Sequence, residues 1–284
     1  MTTAGTPRAG LCSYDGRRTV VTGVASGIGA ELVTQLHELG AYVVGLDRVR
    51  PAGDVDEFHP IDLADPASID KAVEAICRPG PDRVDALFNV AGVSSGIGDP
   101  ELVVAINFLG TRHLTEALLP SMPAGSAIAN VSSLAAASYL ENAETTSGLL
   151  NTDTMTAGLH WCRAHPEALA DGGYRLSKEA IILYGMVNAG RLASQGIRIN
   201  CTAPGVTETP ILDQLRSSYG QGFLDDIPKP LGRVASPAEQ AAPLVFLNSP
   251  AAGYICGQVL WVDGGNIAAR TAATLGNAGV PWPA

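Results

Sequence analysis

Tyr174 and Lys178 stand four positions apart in the stretch Tyr174–Ala193, whose pattern predicts a helix, so both fall on one helical face. A phenol ionises near pH 10, and to act as a base near neutrality its pKa must fall by roughly three units, about 4 kcal/mol. A neighbouring ammonium supplies part of that. The same pair is also what a surface tyrosine beside a surface lysine looks like, so it is not diagnostic alone.

A second chemical signal lies earlier. Gly23, Gly27 and Gly29, with Ser26 and Ile28 between them, break the chain after the apolar run Thr19–Val21. Ile28, Leu32, Val33, Leu36 and Leu39 then follow at helical spacing, and Gly40 is a natural stop. A glycine loop between strand and helix lets backbone N–H groups and the helix N-terminus approach a pyrophosphate. Asp47, 18 residues after Gly29, ends the second apolar run, where a carboxylate accepts hydrogen bonds from an adenosine ribose diol. A 2′-phosphate there meets like charge, so the pattern favours NAD over NADP. Arg48 pulls the other way. A positive nicotinamide ring would also help lower the Tyr174 pKa.

Other reactive side chains carry less. His160, Cys162 and His165 cluster, but no fourth ligand is evident and no metal is expected. His37, His59 and His113 have no partner in sequence, and Cys201 falls within a strand as a core residue. Eighteen basic against 28 acidic residues give a net charge of −10, the wrong sign for a nucleic-acid reader. Hydrophobic residues make up 46% and charged ones 16%, which suits a buried core. No uninterrupted apolar run approaches the ~20 residues that cross a bilayer. Residues 1–16 lack the apolar core of a signal peptide, and the five cysteines are odd in number without CxxC, which points to a cytoplasmic protein.

The elements that must position these residues alternate. Apolar runs at 19–21, 41–46, 58–62, 84–90, 127–131, 197–203 and 258–262 are separated mostly by helical patterns, including 66–77, 105–119 and 237–247. Seven near-continuous apolar strands with helices between them predict an α/β fold, a doubly wound, Rossmann-type parallel sheet covered on both faces. The expected organisation is an extension at 1–16, one domain at 17–265 and an Ala/Gly-leaning tail at 266–284 that caps the site, mediates dimerisation or is loose. Two long segments break the rhythm: a partly helical insertion at 134–173 and a lid at 207–233. In the lid, Leu212, Leu215, Phe223 and Leu224 are either core anchors or an apolar substrate wall. Trp261, in the last strand, reads as packing.

Thr22–Gly29 (TGVASGIG), Asn89–Gly92 (NVAG), Asn107, Asn130–Ser133 (NVSS), Tyr174–Lys178 (YRLSK) and Pro204-Gly205 follow one another in order. This set resembles the short-chain dehydrogenase/reductase family from about Thr19 to Gly265. Within the family, the long interval between Ser133 and Tyr174 and the stretches 202–212 and 249–253 are similar to the bacterial 3α-hydroxysteroid dehydrogenase/carbonyl reductase group. The front half is also similar to coniferyl-alcohol dehydrogenases. The four-residue separation of Tyr174 and Lys178 is unlike the wider one of enoyl reductases.

The resemblance implies roles. Tyr174 is the acid/base, Lys178 holds the nicotinamide ribose and depresses the tyrosine pKa, and Ser133 bonds the substrate oxygen, with Ser132 a bland neighbour. Asn107 holds a water that relays protons to Lys178. Asp62 contacts the adenine, Asn89, Ala91 and Gly92 border the adenosine, Leu63, Pro204 and Gly205 also belong to the cofactor site, and Val206, Thr207 and Thr209 bind the carboxamide. Val90 departs from the asparagine common at that position. The activity implied is NAD-dependent interconversion of an alcohol and a ketone, on a 3α-hydroxysteroid or another bulky apolar carbonyl compound. A coniferyl-type alcohol is the alternative substrate, and a non-catalytic NAD-sensing protein the alternative class. The insertion implies a homodimer rather than the family's common tetramer.

Overall fold

The computed structural model of the chain describes residues 10–77 and 83–277. Seven strands, β1 (Arg18–Thr22), β2 (Tyr42–Asp47), β3 (Glu57–Pro60), β4 (Ala86–Asn89), β5 (Ala127–Val131), β6 (Arg198–Pro204) and β7 (Val259–Val262), form one sheet in the order β3-β2-β1-β4-β5-β6-β7. Every pairing is parallel. The order reverses beside β1, between β2 and β4, so a crevice opens at the carboxyl ends of these strands.

Successive strand residues face opposite sides and feed two cores. Val20, Val44, Leu87 and Ile128 pack under α2 (Pro66–Ile76), α4 (Thr111–Leu118) and α7 (Tyr174–Ala193), through Ile69, Leu114 and Ile181. Val21, Val43, Phe88 and Ala129 pack under α1 (Gly27–Glu38) and α9 (Pro237–Asn248), through Leu32, Leu36 and Leu244. Burial on both faces is why the strands read as continuous apolar runs.

Three features go beyond the sequence expectation. Tyr14 belongs to the core, fully buried, with its hydroxyl donating to Val245 O at 2.7 Å, so the described part of the 1–16 extension is built into the domain. The helix predicted at 105–119 starts earlier. α3 (Pro100–Val104) runs through a π-helical segment, Ala105–Gly110, into α4, making one helix over Pro100–Ser121. By length and composition that helix is apolar enough to cross a membrane, but 67% of its apolar window is buried inside the fold. The start of the tail is α10 (Asn266–Asn277), capped by the Asp263 carboxylate, which accepts from Gly265 N and Ile267 N. Residues 278–284 lie outside the described part.

The insertion is partly helical, with a 3₁₀ turn at Leu134–Ala136, α5 (Ala143–Leu150) and α6 (Met155–Ala164). Leu149 and Met155 bury their side chains in the first core. The lid forms α8 (Pro210–Asp225), kinked at Gly220, which has φ +82°.

Candidate active site

A cavity of about 260 Å³ opens at the crevice. Gly23, Ser26, Gly27, Ile28 and Gly29 form its floor, Asp47, Arg48, Asp62 and Leu63 one wall, Ala91 and Gly92 the other, and Thr209 closes it from above. The expected glycine loop, acidic strand end and adenine contacts thus meet around one space. A Cβ on Gly29 would collide with the Gly23 carbonyl, and one on Gly23, at φ +79°, would lie 2.9 Å from the Ala91 backbone. Glycine at both positions lets α1 begin directly beneath the cavity. Ser26 stands at the N-cap without a side-chain cap bond, and no acid occupies the first turn. This uncapped helix end suits a pyrophosphate. Asp47 is held in place as its Oδ2 accepts from Ala25 N at 3.0 Å. The residues present fit a dinucleotide.

Thr22 has a role the sequence reading did not assign: its Oγ1 accepts from both Val90 N and Ala91 N at 3.0 Å, fixing the wall opposite Asp47. Because Val90 is held through its backbone, the missing asparagine there changes little. Val93, Ile106, Pro210 and Ile211 also line the cavity, and their apolar side chains carried no signal in sequence.

Asn89 requires a correction. Its side chain is buried between strands, donating to Thr115 Oγ1 (2.9 Å) and Asn130 Oδ1 (2.8 Å), and it does not line the cavity. It ties β4 to β5 and α4 rather than bordering an adenosine. Pro204 ends β6, and Gly205, directly after it, passes close to the Asp263 backbone. Gly205 and Val206 line a neighbouring cavity of about 230 Å³ with Leu134, Leu231 and Trp261, so Trp261 both packs and faces open space. Thr207 is buried and bridges to Ala235.

At the centre, Tyr174 opens α7 and is half-buried. Gly173 precedes it at φ +74° because a Cβ there would strike the Pro100 carbonyl at 2.5 Å. Lys178 is buried, with its Nζ 5.7 Å from the Tyr174 ring centre and donating to Val131 O at 3.0 Å. Gly92 makes room for it: a Cβ there would sit 3.2 Å from Lys178 Nζ and from Asn107 Oδ1. Burial lowers the lysine pKa from 10.5 to about 8. It also raises the Tyr174 phenol, opposed by a side-chain hydrogen bond with Ser133. Lys178 and Ser133 stand beside the phenol, while burial opposes its ionisation.

Ser133 caps the 3₁₀ turn, with its Oγ accepting from Ala135 N at 3.2 Å, and stands beside the phenol. Ser132 has a structural place: its buried Oγ donates to Lys178 O at 2.7 Å and fastens α7 to β5. Asn107 lies in the π-helical segment with its side chain held by three hydrogen bonds. Its Oδ1 accepts from Val93 N (2.8 Å), and its Nδ2 donates to Val93 O (3.0 Å) and Ser177 Oγ (3.2 Å). Ser177 in turn donates to Tyr174 O at 2.7 Å.

α8 lies across the entrance. Ser94 Oγ donates to Gln214 Oε1 (3.2 Å) and Tyr219 OH to Ser95 Oγ (2.9 Å). Leu212 and Leu224 are buried anchors, while Phe223 is 47% exposed beside Tyr219. His160, Cys162 and His165 do not converge: His160 is exposed, Cys162 buried, and His165 stacks on Trp161 at 4.3 Å.

A glycine-floored cavity that fits a dinucleotide, with a tyrosine–lysine–serine cluster beside Gly92 on its wall, is the site of an oxidoreductase acting on alcohols. The chain belongs to the short-chain dehydrogenase family, whose members use NAD(P). The model described as short chain dehydrogenase matches residues 17–145, and one described as Enoyl-(Acyl carrier protein) reductase matches 163–266. Among curated relatives, coniferyl-alcohol dehydrogenase of Pseudomonas sp. is 36% identical over 88% of this chain and 96% of its own length. The 3-alpha-hydroxysteroid dehydrogenase/carbonyl reductase of Comamonas testosteroni is 31% identical over 87% and 95%. Among solved structures, the 3-alpha-hydroxysteroid dehydrogenase from Pseudomonas sp. B-0831 complexed with NADH superposes with a TM-score of 0.78 at 33% identity, covering 90% of this chain and 98% of that one.

Proposed function

We propose that this enzyme oxidises a bulky, mostly apolar secondary alcohol with NAD, and reduces the corresponding ketone with NADH, a 3α-hydroxysteroid being the first substrate to test. The observation that carries the reading is the cluster of Tyr174, Lys178 and Ser133, with Lys178 Nζ beside Gly92, a residue on the wall of the cavity floored by α1. Asp47 supports NAD, since its carboxylate faces the place of an adenosine ribose and repels a 2′-phosphate. The bound dinucleotide supplies the hydride acceptor and a positive ring beside the phenol. Tyr174 takes the hydroxyl proton, Ser133 orients the same oxygen, and Lys178 holds its charge against the Tyr174 ring and the nicotinamide ribose. The half-exposed Phe223 and Tyr219, with Leu231 and Trp261 along the neighbouring cavity, provide apolar surface for a large substrate.

The 36% identity to a coniferyl-alcohol dehydrogenase favours a second reading, an aromatic allylic alcohol. The deciding measurement is NADH formation by the purified chain with a 3α-hydroxysteroid and with coniferyl alcohol, with NAD and NADP compared. Faster turnover of the steroid with NAD is the expected result. Preference for coniferyl alcohol establishes the second reading, and preference for NADP overturns the role given to Asp47.

A further inference from the structure

Glu179, next to Lys178 in sequence, points away from the reacting groups and is used by no step above. Its side chain is completely buried. Asn142 Nδ2 donates to its Oε1 at 2.7 Å, Thr146 Oγ1 donates to its Oε2 at 3.3 Å, and Arg175 Nη1 donates to the same oxygen at 3.1 Å. Arg175 also reaches Asp171 at 3.3 Å. Asn142 is the N-cap residue of α5 and Thr146 lies in its first turn, so two of the three donors come from the insertion. The third comes from the catalytic helix, one residue after Tyr174.

A carboxylate is a costly way to fill a seam between two helices, since an apolar side chain of similar size fills it without desolvating a charge. What hydrogen bonds add is direction: they fix which residue of α5 meets which residue of α7. That register matters here because the insertion begins at Leu134, directly after Ser133, and ends at Gly173, directly before Tyr174. The two groups that grip the substrate oxygen are thus the two ends of one 40-residue excursion, and Glu179 clamps its first third to the helix that carries Tyr174 and Lys178.

We propose that Glu179 is a positioning residue for the alcohol substrate: through Asn142 and Thr146 it holds the insertion in register on the catalytic helix, setting the distance between Ser133 and the Tyr174 phenol. The effect falls on the alcohol rather than on the dinucleotide, whose cavity is built from α1, β2 and β4. The inference rests on the alcohol-oxidising reading.

The test exchanges donor and acceptor. Glu179→Gln weakens the clamp by replacing the charged acceptor that Arg175 and Thr146 share with a neutral carboxamide, and Asn142→Asp sets two carboxylates against each other. The double variant restores an Asn142-side acceptor facing a position-179 donor. Each single variant is expected to raise KM for the alcohol about tenfold, since small misplacements of reacting groups are this costly. The dinucleotide Kd, read by protein fluorescence, stays within twofold, and the double variant recovers most of the loss, a non-additivity expected only of groups in contact. Amide hydrogen exchange supplies a readout apart from turnover: peptides covering 143–150 exchange faster in the single variants, while those covering 237–248 do not. Folded single variants with unchanged KM and unchanged exchange overturn the proposal, as does an equal rise in alcohol KM and dinucleotide Kd. A parent chain that turns over neither test alcohol, with the exchange pattern as expected, instead overturns the substrate reading and leaves the clamp standing.

Discussion

Tyr174 and Lys178 show two opposed demands on the same residues: burial that excludes water from the reaction, and charges that burial disfavours. Desolvation raises the phenol and brings Lys178 down to about 8. A lysine that ionises at about 8 in the folded chain and near 10.5 when unfolded makes the folded state release its proton first. Stability therefore rises with pH between these values, and below about pH 8 the full penalty, about 3 kcal/mol, is present. Lys178→Met removes this dependence. Urea unfolding of both proteins at pH 7.5 and pH 10 should show the parent gaining about 2 kcal/mol on the variant. A gap that does not change with pH would mean the lysine is solvated. The same substitution takes away the cation 5.7 Å from the Tyr174 ring, so the ionisation seen in kcat/KM for alcohol oxidation should move to higher pH. Tyr174→Phe keeps the ring and deletes the hydroxyl. Turnover should fall by at least about a hundredfold with the dinucleotide Kd unchanged, and retained turnover would remove Tyr174 from the acid/base role.

Among the elements, the β1–α1 turn is the most constrained by geometry. Gly29 packs against the Gly23 carbonyl so closely that one methyl group must displace the start of α1. Gly29→Ala should weaken dinucleotide binding at least tenfold, measured by fluorescence titration, because the helix N-terminus moves from under the pyrophosphate. Binding within twofold of the parent would place the phosphates elsewhere. Constraints of this kind are legible in sequence: glycines at a strand–helix junction, an acid closing the next strand, and continuous apolar strands all have one physical reading. All seven strands and the catalytic helix lie where periodicity places them. Asn89 was misread because a motif gives a position and not a direction, and its side chain points into the sheet. The carboxamide of Asn107 also clamps Val93 and Ser177, a part that its place in the motif did not announce. The π-helical segment and the Glu179 clamp had no local signal, since each depends on partners 14 to 70 residues away.

For the molecule as a whole, the insertion reshapes the outer flank formed by α4 and α7. Arg112 on α4 donates to Leu150 O, Thr152 Oγ1 and Thr154 O, drawing the link between α5 and α6 alongside these helices. A cleft of about 690 Å³ remains between them, lined by Glu116, Thr152, Asp153, Tyr184 and Val187. A second copy approaching there meets a notch instead of two bare helices, which leaves less continuous surface for a two-fold contact. The chain should therefore assemble as a dimer that leaves this flank free. Light scattering should give twice the 29.3 kDa chain mass. Val187, 68% exposed on α7, tests which face is used. A charge at the centre of an interface weakens association, whereas one on a free surface does not. Val187→Glu should thus leave the mass at that of the dimer; a tetramer in the parent, or a monomer in the variant, would put the contact on α4 and α7 after all.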